Sequence, residues 1–475
     1  MSDNKTIGQQ KEDSLLSRKK SFWLNTDNEL DKKIQEFGQG YKKFLDIGKT
    51  ERECVDEIER MLKAAGYKDI ENVKKLVTGD KVYCVSRNKT IAAAVIGQED
   101  LVKGSAMIGS HVDAPRLDLR PNPLYEDSEM ALFRTRYYGG IKPYQWVSIP
   151  LTIHGVIYNK NGEKINVVIG ENEGEPVFTI ADLLPHLAKD QMQKKMSEGI
   201  TGEDLNVIIG SVPFKDDKVS EKIKLNMLDM LNQKYGINEE DFVSAELEVV
   251  PWQKAMDVGL DRGLIGAYGH DDRICAYASL MGLTDMSVIP QKTAVCYMSD
   301  KEEIGSVGNT GARSLFIQNF ILELLYLCGN TEGEYALRKC FNNTKMISAD
   351  VASAVNPNFK GLHAVNNAAF LGKGICLEKY TGGNGKGGAS EANAEFVYRI
   401  RKLFNDNNVP WQAGELGKMD KGGGGTIAQF IANLGSEVID CGIPVIGMHS
   451  TMEVASKADL YSAYLAYKCF FEKTV

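Results

Sequence analysis

The sequence predicts an α/β fold in which a mixed sheet is sandwiched by helices and a β-rich domain is inserted. Three observations carry this. After Trp252, short apolar runs alternate with helical patterns. Between Ala114 and Pro251 the text is strand-rich instead. Polar clusters follow the apolar runs, where open α/β sheets gather their sites. At 475 residues the chain is also too long for one ordinary core.

In chain order, residues 1–20 read as a polar tail. Thr50-Glu51-Arg52-Glu53 is a capping box that opens a helix to about Ala65. Lys81–Ser86 and Thr90–Gly97 are β-like runs around Arg87-Asn88-Lys89, a hairpin signal. Ala106–Gly109 is an apolar strand ending at Ser110-His111-Val112-Asp113. Arg120-Pro121-Asn122-Pro123 reads as a loop opening the inserted segment, and Val249-Val250-Pro251 as its exit. Helical stretches are expected within the insert near Ile180–Met196 and Ser220–Tyr235. Beyond it, strands are expected at Thr293–Met298, Lys345–Ile347 and Pro444–Gly447. Helices are expected at about Asp272–Thr284, Glu391–Leu403 and Lys457–Glu472. The last places Leu460, Ala463, Tyr464 and Tyr467 on one face. No repeat of fixed period is visible.

Composition narrows the function. The net charge of −8 argues against a nucleic-acid partner, which requires a basic footprint. No apolar run approaches the roughly 18 residues of a membrane span, and polar Met1–Lys20 is no signal peptide. The nine cysteines form no CxxC pair and read as buried, reduced thiols. A cytoplasmic protein is the expectation.

The chemistry lies in a constellation. Of only six histidines, His111 and His449 each follow a short apolar strand. The acidic clusters His270-Asp271-Asp272-Arg273, Asp300-Lys301-Glu302-Glu303 and Ser348-Ala349-Asp350 stand in similar places. Singly, each carboxylate pair reads as a helix start. Together at neighbouring strand ends, so many carboxylates repel unless cations neutralise them. Mixed imidazole and carboxylate ligands suit zinc, cobalt or manganese. One shared carboxylate can bridge two ions, with one glutamate left over as a base.

The stretches Gly109-Ser110-His111-Val112-Asp113-Ala114-Pro115, Tyr138-Gly139-Gly140, Gly269-His270-Asp271-Asp272-Arg273, Asp300-Lys301-Glu302-Glu303-Ile304-Gly305-Ser306 and Met448-His449-Ser450 resemble the aspartyl aminopeptidase family of di-zinc metallopeptidases, peptidase family eighteen. The resemblance spans nearly the whole chain after the tail. It implies two divalent metal ions per subunit, His111 and Asp350 on one, Glu303 and His449 on the other, and Asp271 bridging. Asp113 is implied to orient His111, and Glu302 to be the general base. Asp272, as a helix N-terminal acid, and His270 stay outside this set.

The same resemblance implies a zinc-peptidase-like catalytic domain split into residues 1–113 and 252–475, with 114–251 as a β-rich dimerisation domain. It further implies a homo-oligomer, a tetrahedral dodecamer of dimers, acting on peptide substrates with acidic N-terminal residues. An acidic side chain needs a cation; Lys386 is the candidate and Lys379 the competitor. His154 is implied to reach a neighbouring subunit's site, while His186 and His363 read as structural. The Gly-Lys piece is no phosphate loop, because Tyr380 stands at its first required glycine and Gly387 replaces the hydroxyl residue. Gly422–Gly425 is either a substrate-facing backbone or a plain turn. Rival functions are a metal-dependent carboxypeptidase or amide deacylase, and a scaffold protein without catalysis.

Overall fold

The computed structural model describes residues 5–17 and 19–473. Its largest sheet has nine strands. Across the sheet they run Lys68–Asp69, Lys81–Ser86, Thr90–Val95, Thr293–Ser299, Ser105–His111, Lys345–Ser348, Glu437–Gly442, Ile375–Glu378 and Trp411–Ala413. The centre is parallel and the flanks are mixed.

Period-two alternation builds two cores from one strand. Ala106 and Ile108 point into the layer formed with helices Asn28–Ile47, Glu51–Ala64, His270–Thr284 and Lys457–Lys473. Met107 points the other way, towards helices Phe316–Leu327 and Glu334–Asn343. Helices therefore cover both faces, and the central strands are buried throughout.

A six-stranded antiparallel sheet draws all its strands from between Arg116 and Pro251, around its own apolar cluster. A five-stranded sheet joins Met256–Val258, Leu264–Ala267, Glu453–Ser456, Pro444–Ile446 and Ala352–Ser353. This small sheet frames one side of the site.

Local signals explain most elements. Thr50 and Glu53 form the capping box of helix Glu51–Ala64. Arg87 and Asn88 adopt φ of 53° and 55°, as a tight hairpin turn requires. Three expectations need correction. Ile180–Met196 is not one helix: it holds only the 3-10 turn Gln191–Gln193 and, at Met196, the first residue of the short helix Met196–Gly199. Pro185 interrupts it, and Leu183, Leu184 and Leu187 are exposed, so no core rewards a helix there. Arg120–Pro123 is not a loop but part of strand Arg116–Asp127, at a register shift between Leu119 and Leu124. Prolines without a ladder N–H are tolerated at such irregularities. The polar tail holds an exposed helix, Ile7–Leu15, started by a Thr6–Gln9 capping box; residues 1–4 and 18 lie outside the described residues. Among the described residues no helix is long and apolar enough to cross a membrane.

Candidate metal centre

Five chain segments deliver side chains to one place at the strand ends. His111 closes strand Ser105–His111. A Cβ at Gly109 would lie 2.5 Å from Met346 Cε and 2.8 Å from Ile427 Cδ1, so these two side-chain ends would have to shift. Asp271 and Asp272 follow strand Leu264–Ala267 at the start of helix His270–Thr284. Glu302 and Glu303 form a 3-10 turn after strand Thr293–Ser299. Asp350 follows Lys345–Ser348, and His449 caps the hairpin between Pro444–Ile446 and Glu453–Ser456.

Asp271 sits at the middle. Its Oδ1 is 3.0 Å from His111 Nε2 and its Oδ2 is 3.2 Å from His449 Nε2. His449 Nε2 is also 3.4 Å from Glu303 Oε2. His111 Nε2 is 3.9 Å from Asp350 Oδ1 and 4.0 Å from Glu302 Oε2. The structure thus brings together all five residues that the sequence marks as candidate ligands, and Glu302 with them.

The far sides of both imidazoles are held. His111 Nδ1 lies 3.0 Å from the Asp113 carbonyl and 3.2 Å from its Oδ1. Asp113 also accepts the backbone N–H of Glu302 at 3.1 Å and of Glu303 at 3.2 Å. His449 Nδ1 donates to the Gly140 carbonyl at 2.8 Å. Tyr138 donates to Asp113 Oδ2 at 2.8 Å, so the Tyr138-Gly139-Gly140 segment touches both halves of the site.

Two contributors escaped the sequence reading. Glu453 is buried and accepts the N–H of Asp271 at 3.0 Å and of His449 at 2.7 Å. It fixes His449 at φ 64°, a conformation that costs a non-glycine residue about 1 kcal/mol or more. Its only signal was a glutamate four residues after His449. Asp272, set aside as a helix-start acid, accepts His111 N–H at 3.2 Å through Oδ2.

The electrostatics call for cations. Burial opposes ionisation of Asp271, but hydrogen bonds from His111 and His449 outweigh it and hold its carboxyl below the usual range. Burial, with Asp271 beside one and Asp272 beside the other, pushes Glu303 and Asp350 well above theirs. Burial raises Glu302 to about 7. His449 rises to about 10: burial opposes this, and Asp271 and Glu303 overcome it.

The donor set fits divalent metal ions. Candidate ligand atoms of His111, Asp272 and Asp350 all lie within 4.8 Å of one another, as do those of His111, Asp271 and Glu303. Glu303 Oε1 and Asp272 Oδ1 are buried with no hydrogen-bond partner among the described residues, which an ion would satisfy. Metal binding requires neutral imidazoles and ionised carboxylates, so cations and protons compete for this site.

The site opens on a cavity of about 500 Å³. Its walls include Val351, Leu416, Phe430, Met448 and the backbone of Gly423–Gly425. No lysine or arginine lines it among the described residues. Lys386 lies outside the lining, and its Nζ is bound to Glu391 at 2.7 Å. His154 also lies outside the lining. It is 3% exposed, with Nδ1 2.7 Å from Glu53 and Nε2 3.2 Å from Glu171. Both nitrogens are engaged within its own chain.

A profile of peptidase family M18, described as aminopeptidase I zinc metalloprotease, matches residues 44–471. A probable M18 family aminopeptidase 1 of Clostridium acetobutylicum is 46% identical over 460 residues, 96% of this chain and 98% of its own length. The crystal structure of an M18 aminopeptidase from Thermotoga maritima superposes with a TM-score of 0.93 at 47% identity, covering 96% of this chain and all of that one. The mApe1 dodecamer of S. cerevisiae shares the fold, with a TM-score of 0.73 at 22% identity over 92% of this chain and 96% of its own. Fold and relatives define a zinc metallo-aminopeptidase, a hydrolase of peptide bonds. The chain belongs to the peptidase M18 family of aminopeptidase I zinc metalloproteases.

Proposed function

We propose that the protein removes N-terminal residues from peptides by a two-metal mechanism with Glu302 as general base. The observation that carries this is Asp271, whose two carboxylate oxygens reach the two imidazoles separately, at 3.0 and 3.2 Å. One carboxylate between two ligand sets is the arrangement a shared bridge requires. His111 and Asp350 would hold one ion, Glu303 and His449 the other. Asp113 orients the His111 ring and the Glu302–Glu303 turn.

When bound, a pair of divalent ions, zinc in this family, supplies Lewis acidity at the scissile carbonyl and lowers the pKa of water towards about 7. Glu302 takes a proton from the attacking water as the new C–O bond forms. It returns that proton to the departing amine as the C–N bond breaks. Burial raises its carboxyl above the usual range, which favours its taking up the proton. Carboxylates around the site attract the substrate's free α-ammonium, which restricts cleavage to the chain end.

The acidic preference would require Lys386 to leave Glu391 and turn towards a cavity that it does not line. The absence of lysine and arginine among the lining residues weighs against it. Aspartyl, glutamyl and leucyl amides compared on one preparation decide the matter. A carboxypeptidase or deacylase reading predicts cleavage without a free amine, and N-acylated amides test it.

For assembly we propose a homo-oligomer, with residues 114–251 as the dimerisation domain and the dodecamer of dimers as the full form. Exposed Leu183, Leu184, Leu187 and Met192 on this segment support an apolar contact. The nine unpaired cysteines support a reducing, cytoplasmic setting. Light scattering tests the assembly, with the subunit mass of 52.5 kDa as its unit. The chemistry is tested by Glu302→Gln, which should keep both ions and lose turnover.

A further inference from the structure

Glu378 ends strand Ile375–Glu378 and lines the same cavity as Asp271, Glu302 and Asp350. It is 7% exposed. Among the described residues it makes no side-chain hydrogen bond and no ion pair. Its register partner is Asp440, a second buried carboxyl whose Oδ1 accepts from Thr426 Oγ1 at 2.7 Å and whose Oδ2 has no hydrogen-bond partner among the described residues. Burial, with Asp440 and Glu415 nearby, pushes Glu378 up to about 8. A desolvated carboxyl that faces a cleft without a counter-charge is costly in the empty enzyme.

Among the described residues no lysine supplies the missing charge. Lys379 Nζ lies 4.0 Å from Glu391, and Lys386 Nζ 2.7 Å from the same carboxylate. Both are about half exposed, outside the lining. The neighbouring walls are Val351, Leu416 and Phe430, apolar surfaces that suit the methylene stem of a long side chain. Glu378's strand stands two places from the strand that leads to Asp350, a separation of about 10 Å at ordinary strand spacing. That gap matches the reach of an extended cationic side chain rather than an α-amine held at the metal centre.

We infer that Glu378 is a specificity-determining residue that binds the cationic side chain of an N-terminal lysine or arginine, making basic residues the preferred substrates. This rests on the metal-site reading above. The apolar walls take the stem, and the carboxylate at the end pairs with the ammonium or guanidinium. The substrate's charge restores the ionised form that burial disfavours in the empty cleft.

The test uses zinc-loaded full-length enzyme with lysyl, arginyl, leucyl and aspartyl aminomethylcoumarin amides. The expected order of kcat/KM is lysyl and arginyl above leucyl, with aspartyl lowest. Glu378→Gln, close in shape, should lower the lysyl-to-leucyl ratio about tenfold or more. Taken on one preparation, that ratio is unaffected by the fraction of misfolded protein. The proposal is overturned if the ratio is unchanged in Glu378→Gln, or if the wild type prefers aspartyl substrate. If no amide with a free amine is hydrolysed, the metal-site reading falls, and the subsite with it.

Discussion

Tyr138 donates a 2.8 Å hydrogen bond to Asp113 Oδ2, tying the six-stranded sheet to the candidate metal centre. The Arg116 guanidinium lies 3.9 Å over the tyrosine ring and holds it in place. Asp113 in turn meets His111 Nδ1 and two backbone N–H groups of the Glu302–Glu303 turn. Tyr138→Phe should therefore weaken zinc affinity and kcat/KM, each by about 10–100-fold, as the loss of an outer partner does elsewhere. Metal-buffer titration and steady-state kinetics check it. Wild-type values for both would remove Tyr138 from any positioning role.

Glu302→Gln keeps the shape and removes the base. Turnover should fall by about 10²–10⁴-fold while zinc content stays at the wild-type level. Elemental analysis beside kinetics separates the two effects. Near-normal turnover would assign the proton transfer to another group.

His154 offers a pH test away from the chemistry. Burial opposes its charge, but hydrogen bonds to Glu171 and Glu53 overcome this and raise its pKa above 6.5. A raised folded pKa stabilises fully below the unfolded value and is lost as pH climbs through the folded one. The Tm advantage of wild type over His154→Gln should be largest on the acid side of 6.5 and shrink on the alkaline side. An advantage that grew with pH would show that the ring is held neutral.

Gly442 tests the backbone beneath the site. A Cβ on it would stand 1.5 Å from the Asp350 carbonyl oxygen. No side-chain motion relieves contact with backbone, so Gly442→Ala must push the Asp350 segment aside. The expected cost is about 3 kcal/mol or more in unfolding free energy, together with weakened metal binding. Unfolding and zinc affinity both like wild type would refute the close packing.

Much of this site was legible because its side chains stand where the chain changes character, at the ends of apolar strands. The clusters around His111, Asp271, Glu303, Asp350 and His449 stand out by type and place, while the roles within each cluster follow only from the family resemblance. Glu453 did not, since its carboxylate works on backbone N–H groups and leaves no mark in a motif. Asp272 was hidden by a good alternative, the helix start it also occupies. The burial of His154 between Glu53 and Glu171 was not legible, since both partners lie far from it along the chain. In the fold, capping boxes and strand periodicity were readable locally. The stretch Ile180–Met196 failed because its leucines face solvent, a tertiary fact no period reveals.

The central claim is that one centre holds two cations through a shared Asp271. Zinc titration of chelator-stripped enzyme, read by hydrolysis of an aminoacyl amide, tests it directly. Activity should be absent at the start and rise until two equivalents per chain have bound. Full activity without added metal, or saturation at a single equivalent, would contradict it.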